Sequence, residues 1–363
     1  MLTMKRICLL IGNINHTGGT ERVGSMLANG LSKAGYEVVV ASLAGGDQPF
    51  FPLDKDIKVI SLFKTQGRTL PRTPSLIYKI RKLLKQERID TLIVVETMSV
   101  LFTLPATFGL PVEHICWEHF NFNSDLGRKG RRIARQLAAR YCNVVVTLTE
   151  RDKEYWLQGT EHHSQIKAIA NPCPFPVQTY IKEENTKIVL AVGRLTYQKG
   201  FDLLLKAWLE VTKTMPNWKL KIVGEGEDRA KLAGFIHDNR LDASVELVGS
   251  TKDVSQYYKE AEIFCLSSRF EGFPMVLLET LAFGLPVVSF DCDTGPAEVL
   301  ENTGSILVPQ DDITKLALSL IELMSDSERR KDISVKSKHK AEMYQPEYIV
   351  KQWIDLIETF DPL

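Results

Sequence analysis

Two carboxylates in one stretch of the chain are placed where they could do chemistry. The sequence Ser267-Ser-Arg-Phe-Glu271-Gly272-Phe273-Pro274-Met275 runs on through Val276-Leu-Leu to Glu279, so seven residues separate the two acids. The run before Ser267 reads as a strand, and Pro274–Phe283 reads as a helix. Glu271 then lies at a helix start, where Gly-Phe-Pro and free backbone amides suit anions and hydroxyl groups. Glu279 lies more than a turn inside that helix among Val276, Leu277, Leu278, Leu281 and Phe283. A carboxylate there is costly unless something binds it, and sugar or ribose hydroxyls are donors that would.

Three other segments carry candidate groups. Val192-Gly193-Arg194-Leu195-Thr196-Tyr197-Gln198-Lys199-Gly200 puts two cations five residues apart in one strand-to-helix loop. Arg offers a planar fork and Lys a compact charge, a combination suited to a diphosphate. The loop Gly12-Asn-Ile-Asn-His-Thr-Gly18-Gly19-Thr-Glu21 precedes another helix, and its paired glycines allow close backbone approach to a ligand. It matches neither a dinucleotide fingerprint nor a Walker loop, so a plain turn and cap explains it as well. His119 follows the strand Val112–Trp117 directly, in Trp117-Glu118-His119-Phe120-Asn121.

The elements that must position these groups alternate along the chain. Short apolar runs at Arg6–Gly12, Tyr36–Ser42, Thr91–Glu96, Val112–Trp117 and Asn143–Leu148 alternate with helical periodicity, as at Glu21–Ala34, Pro74–Gln86 and Arg131–Ala139. Three prolines in Asn171-Pro-Cys-Pro-Phe-Pro176 interrupt the pattern, and a polar segment, 182–187, follows. Alternation restarts with strands at Lys187–Val192, Lys219–Val223, Val245–Val248, Ile263–Ser267 and Pro286–Phe290, and the chain ends in helices. Strand–helix alternation implies parallel sheets. The expected fold class is therefore α/β with two doubly wound Rossmann-like domains, residues 1–173 and 174–345, facing a cleft. A last helix, 346–363, is expected to return to the first domain. In such sheets ligands bind beyond the carboxyl ends of the strands, where the groups above fall.

Composition narrows the class. The 363 residues are 44% hydrophobic and 25% charged, with a mean hydropathy of -0.09, which excludes collagen-like and wholly disordered chains. Six scattered cysteines without metal spacing read as reduced thiols and not as a disulfide framework. No apolar run reaches the ~20 residues a membrane helix needs, and the N-terminus lacks a signal h-region, so the expectation is a soluble or peripheral protein. The net charge of zero hides an asymmetry: residues 1–175 carry 23 basic and 15 acidic side chains, the remainder 22 and 30.

With these residues in view, the chain resembles glycosyltransferase family 4, the retaining transferases of GT-B architecture. The resemblance rests on Glu271 and Glu279 with the Gly193-Arg-Leu…Gln198-Lys-Gly-Phe201 segment. Trp117–Asn121 and Thr149-Glu-Arg-Asp152 are similar to bacterial transferases of O-antigen, capsule and exopolysaccharide assembly, the amylovoran type included. The resemblance implies that Arg194 and Lys199 bind the donor diphosphate and that Glu279 holds the ribose hydroxyls. It implies Glu271 at the transferred sugar with the amides of Gly272, Phe273, Pro274 and Met275 at sugar or phosphate (Pro274 itself lending no N–H), His119 beside the anomeric centre, and Gly18 and Gly19 on the phosphate and acceptor side. A weaker implication puts Gly224–Glu227 and Val248–Thr251 near the base. No cofactor and no metal are implied. The resemblance implies a UDP-sugar donor, of the galactose, N-acetylgalactosamine or glucose kind, and a polyprenyl-diphosphate-linked saccharide as acceptor.

The basic surplus lies in residues 64–140, with 14 basic and 6 acidic side chains. Arg68, Arg72, Lys79, Arg81, Lys82 and Lys85 form one group; Arg128, Lys129, Arg131, Arg132, Arg135 and Arg140 form another. Cations near an anionic bilayer gain on the order of 1 kcal/mol each. The expectation is an acceptor or membrane surface at Arg128, Lys129, Arg131 and Arg132, on the inner face of the cell membrane. Nucleic acid is excluded by the neutral balance and the lack of a recognition motif. Two rival readings remain: a nucleotide-sugar 2-epimerase of the same architecture, and an inactive nucleotide-sugar-binding module.

Overall fold

The computed structural model describes residues 5–65, 69–125, 127–179 and 186–360, with side chains from 71 on in the second of these ranges. Of the expectations above, Arg68, the first four residues and most of the polar segment 182–187 lie outside it. The chain divides into two compact units, residues 1–174 with 346–363, and residues 175–345.

In the first unit the order is β1 (Arg6–Ile11), α1 (Gly19–Lys33), β2 (Glu37–Ser42), β3 (Lys58–Ser61), α2 (Thr69–Gln86), β4 (Thr91–Val95), α3 (Val100–Thr107), β5 (Glu113–Trp117), α4 (Lys129–Tyr141), β6 (Val144–Thr147), α5 (Glu150–Gly159) and β7 (Gln165–Ala168). The strands pair in parallel in the order β3-β2-β1-β4-β5-β6-β7. Central strands are buried along most of their length, and in β4 all of Thr91–Val95 is buried. That requires continuous apolar runs, because both faces of a parallel sheet are covered by helices. The proline-bearing α2 begins earlier than periodicity indicates. Pro71 falls in the first turn, where amides have no intrahelical acceptor, and only Pro74 costs the helix a bond.

The second unit runs β8 (Ile188–Val192), α6 (Phe201–Thr214), β9 (Lys219–Val223), α7 (Arg229–Asp238), β10 (Val245–Gly249), α8 (Ser255–Glu260), β11 (Ile263–Leu266), α9 (Met275–Ala282), β12 (Val287–Phe290), α10 (Pro296–Val299), β13 (Ile306–Val308), α11 (Ile313–Ser325) and α12 (Ser327–Glu342). Its parallel sheet has the order β10-β9-β8-β11-β12-β13. Trp208, Leu220, Ile222, Ile263, Phe290 and Leu320 lie in its core. The last helix, α13 (Pro346–Glu358), belongs to the first unit. There a Cβ on Gly30 of α1 would overlap Val350, and Trp353 meets Trp117 edge to face at 4.8 Å.

Strand order reverses once in each sheet, between β1 and β4 and between β8 and β11. At such a switch point the connections leave in opposite directions and open a crevice at the carboxyl edge.

Candidate active site

In the second unit, the loops that follow β8 and β11 flank the crevice and are bound tightly to each other. Gly200 sits at φ +63, and a Cβ there would overlap the Ser267 carbonyl, so only glycine lets the backbones touch. Ser267 Oγ donates to the Lys199 carbonyl at 2.9 Å, and the Arg269 amide donates to the Gln198 carbonyl at 2.8 Å. The Arg269 guanidinium forks onto Asp202 at 2.9 and 2.7 Å and stacks over Tyr197 at 4.1 Å.

This scaffold brings together two groups that lie 72 residues apart in sequence. Lys199 Nζ meets Glu271 Oε1 at 2.6 Å. Ser268 Oγ donates to the same oxygen at 2.7 Å, and Glu271 is 6% exposed. The Glu271-Gly272 backbone is held from behind: Thr294 Oγ1 donates to their carbonyls at 2.8 and 3.0 Å. Gly295, at φ +100, leaves no room for a Cβ beside Pro274. Phe273 is buried, Met275 opens α9, and no side chain caps that helix at Pro274. Arg194 stands exposed on the β8 loop. The loop is fixed by amide bonds from Gly193 to the Val223 carbonyl (3.0 Å) and from Leu195 to the Glu225 carbonyl (2.9 Å).

Glu279 is buried as the sequence indicates, and the protein itself supplies one partner. Tyr258 Oη, from α8, donates to Glu279 Oε2 at 2.7 Å. A bound hydroxyl is therefore not the only thing that makes the position tolerable. Gly224 and Gly226 serve packing: a Cβ on either would overlap the Gly193 or Leu195 carbonyl.

In the first unit Gly18 is the N-cap of α1, and a Cβ there would overlap the Glu21 carboxylate; beside Gly19 the space is open. Glu21 is buried and accepts from Thr20 Oγ1 at 2.8 Å. A negative side chain thus already occupies the first turn beside Gly18, where the helix dipole favours it. His119 packs its ring on Trp117 at 4.5 Å. Its Nε2 is shielded without a hydrogen-bond partner, and burial pushes its pKa down to about 3. The imidazole is neutral at physiological pH.

Two arginines of the second basic group are not on the surface. Arg131 is 2% exposed, and so is Arg135. Both turn inward from α4 onto Glu118, at 3.8 Å (Arg131 Nη1) and 3.1 Å (Arg135 Nε). Glu118 also accepts from Thr97 Oγ1 at 2.7 Å and from the amides of His119 and Phe120 at 3.1 and 3.0 Å. A fully surrounded carboxylate draws the guanidinium groups in, so Arg131 is withdrawn as an acceptor or membrane contact. Arg128 and Lys129 are exposed. Arg132 keeps 76% of its side chain in solvent beside Asp125, 2.8 Å away.

Sequence reasoning missed Tyr258, Ser268, Thr294 and Glu96. Glu96 ends the apolar run Thr91–Val95, so a charged residue just past a strand's carboxyl end was the available signal. The other three carry none, being ordinary residues made important by distant partners. All six cysteines are buried and none is in a disulfide. The triplets Asp54-Lys-Asp56 and Asp291-Cys-Asp293 have a D-x-D spacing. Among the described residues neither joins a group of three or more His, Cys, Asp or Glu able to hold a metal. No helix there is long and apolar enough to cross a membrane.

Comparison with known proteins shows the family. Residues 17–173 match the model described as Glycosyltransferase Family 4, and residues 177–340 that described as Glycosyl transferases group 1. An uncharacterized glycosyltransferase of Haemophilus influenzae is 38% identical, over 96% of this chain and 99% of its own. The amylovoran biosynthesis glycosyltransferase AmsD of Erwinia amylovora is 32% identical, over 98% and 100%. A Campylobacter jejuni enzyme is 29% identical, over 98% of both chains. Its name is GalNAc-alpha-(1->4)-GalNAc-alpha-(1->3)-diNAcBac-PP-undecaprenol alpha-1,4-N-acetyl-D-galactosaminyltransferase. Sucrose-phosphate synthase of Thermosynechococcus elongatus shares the fold with a TM-score of 0.83 at 17% identity, over 98% of each chain. Anabaena HepE in complex with UDP does so at 0.80 and 17%, over 98% of this chain and 100% of its own. Two parallel Rossmann-like sheets, both family models and relatives above 30% identity along nearly the whole chain lead to one conclusion: this chain belongs to the glycosyltransferases, of family 4 type and GT-B architecture.

Proposed function

We propose that the chain is a retaining, metal-independent hexosyltransferase. It moves a galactose-, N-acetylgalactosamine- or glucose-type sugar from UDP to a polyprenyl-diphosphate-linked saccharide in surface polysaccharide synthesis. The observation that carries this reading is the Lys199–Glu271 pair at 2.6 Å in the β8/β11 crevice, with Arg194 on the same loop. A lysine pinned by a buried acid, beside an exposed arginine, is a preorganised site for a diphosphate leaving group. The acceptor class follows the Campylobacter relative, whose name specifies an undecaprenyl-diphosphate saccharide.

In this reading Glu279 receives ribose hydroxyls and Glu271, with the Gly272–Met275 backbone, receives the sugar. His119, in the first unit, offers a neutral imidazole. The bond from the anomeric carbon to the diphosphate oxygen breaks with its electron pair leaving on phosphate. The acceptor oxygen bonds on the same face, and the departing phosphate oxygen takes its proton. Purified protein is incubated with UDP- and GDP-sugars, with and without EDTA and with and without a synthetic polyprenyl-diphosphate saccharide. Acceptor-dependent, EDTA-resistant UDP release with an α-linked product by NMR is expected. Release of free sugar without acceptor supports the epimerase alternative, which the transferase relatives disfavour. Tight nucleotide binding without any release supports a binding module.

Peripheral membrane contact is proposed through the first unit. Exposed Phe108 and Tyr141 line one apolar groove between α3 and α4, flanked by Arg81, which donates to the Phe108 carbonyl at 2.7 Å, and by Arg140, 5.8 Å over Tyr141. Arg128, Lys129 and Arg132 add charge at the start of α4. Sedimentation with anionic vesicles that weakens with salt is expected; equal binding to neutral vesicles overturns it.

A further inference from the structure

The β1/β4 switch point of the first unit carries a carboxylate that neither the sequence motifs nor the transferase reading uses. Glu96 directly follows β4 and has φ +91, ψ 122, a strained region that a side chain rarely enters. Its backbone is anchored there: the amide donates to the Trp117 carbonyl at 2.9 Å and the carbonyl accepts from the Ser99 amide at 3.1 Å. Glycine would satisfy both bonds without strain, so the fold keeps a glutamate here for its side chain.

That side chain is held from behind. Arg131 Nη2 lies 3.0 Å from Glu96 Oε1, while the Arg131 guanidinium stacks over Phe120 at 4.1 Å. Arg131 is almost fully buried, and its Nε and Nη1 have no hydrogen-bond partner. The Glu96 side chain keeps 29% of its surface exposed. Burial raises the Glu96 pKa against the pull of Arg131, and Glu118 adds to the rise. His119, two residues past the neighbouring strand β5, is neutral with a shielded, unpaired Nε2. Acids and a neutral imidazole on the carboxyl edge of this sheet disfavour a second anion and suit hydroxyl donors.

We propose that Glu96 is an acceptor-binding carboxylate, taking a hydrogen bond from a hydroxyl of the acceptor saccharide at the β1/β4 switch point, with Arg131 as its positioning residue. The assignment rests on the transferase reading above. Steady-state kinetics of the full chain, with UDP-sugar and a synthetic polyprenyl-diphosphate saccharide, are compared for wild type, Glu96→Gln and Arg131→Lys, alongside calorimetric titration with UDP and thermal melts. For Glu96→Gln the acceptor KM rises about tenfold or more, with UDP affinity unchanged. Arg131→Lys gives a smaller rise in the same KM. An acceptor KM equal to wild type in Glu96→Gln overturns the assignment and leaves the transferase reading intact. A joint fall in UDP affinity and melting midpoint identifies Glu96 as a mere counter-ion for Arg131 and also overturns it. Wild-type protein that binds UDP but transfers to no such saccharide overturns the acceptor reading and this assignment together.

Discussion

The two switch points use the same charged residue types in opposite ways. At β8/β11 a lysine reaches the buried Glu271 and an exposed arginine shares its loop. There the acid is the internal anchor, and positive charge is what the crevice offers. At β1/β4 and the neighbouring end of β5 the arginines are internal, locked on Glu118, and the acid Glu96 keeps its solvent contact. In the proposed reading one sheet edge receives an anion and the other receives donors. The contrast is in which member of an ion pair faces outward: the Lys199 side chain is 16% exposed against 7% for that of Glu271, whereas the Glu96 side chain is 29% exposed against 2% for that of Arg131.

The largest expected effect breaks the internal half of the first unit. Arg135→Ala takes from the buried Glu118 its nearer cation, leaving Arg131 at 3.8 Å, and should cost about 3–5 kcal/mol of stability, read by urea unfolding. An unchanged midpoint would mean that the Glu118 cluster is not a stabilising framework. At the other switch point, Lys199→Ala should lower kcat by about 100-fold or more, as removal of a preorganised charge at a leaving group does. UDP affinity should change much less. Glu279→Ala, by contrast, should weaken UDP binding by about tenfold in calorimetric titration, because a charged hydrogen-bond acceptor is lost. A pair of variants with these two effects exchanged would reverse the proposed roles.

A pH titration sharpens the comparison from the neutral side of the first unit. Burial lowers the pKa of His119 to about 3 and that of His114 to about 4. Between those values and the ordinary ~6.5, the unfolded chain binds protons that the folded chain does not, so stability rises with pH across that window. Acidification from pH 7 to 4 should therefore lower the melting midpoint, and replacing His114 with Gln should flatten the slope. Smallest of all, Arg132→Ala should leave the midpoint in place. Its side chain is in solvent, one position from the buried Arg131.

The legible parts of the fold were those whose signal is local. Interior strands such as β4 and β11 are buried at every residue, and a strand covered on both faces needs an unbroken apolar run. The strands absent from the sequence reading are β3, β7 and β13, each at the edge of its sheet. Their burial is partial, as in Gln165–Ala168, where only Ile166 is buried, so no long apolar run marks them.

The candidate site divides in the same way. The chain alone determined that Glu271, Glu279, Arg194 and Lys199 fall past strand ends, because a strand–loop–helix pattern with glycines and a proline is written in consecutive residues. Only the tertiary structure decided that Lys199 meets Glu271, that Tyr258 donates to Glu279, and that Arg131 is internal while Arg132 is not. Arg131, Ala134, Arg135 and Ala138 share the inner face of α4, but an arginine on a helix face is read as solvated until a buried acid is known to lie opposite. That acid, Glu118, is 13 and 17 residues away along the chain. Whether a charge is buried depends on the desolvation it suffers and the partner it finds, and both are set by segments that meet only on folding.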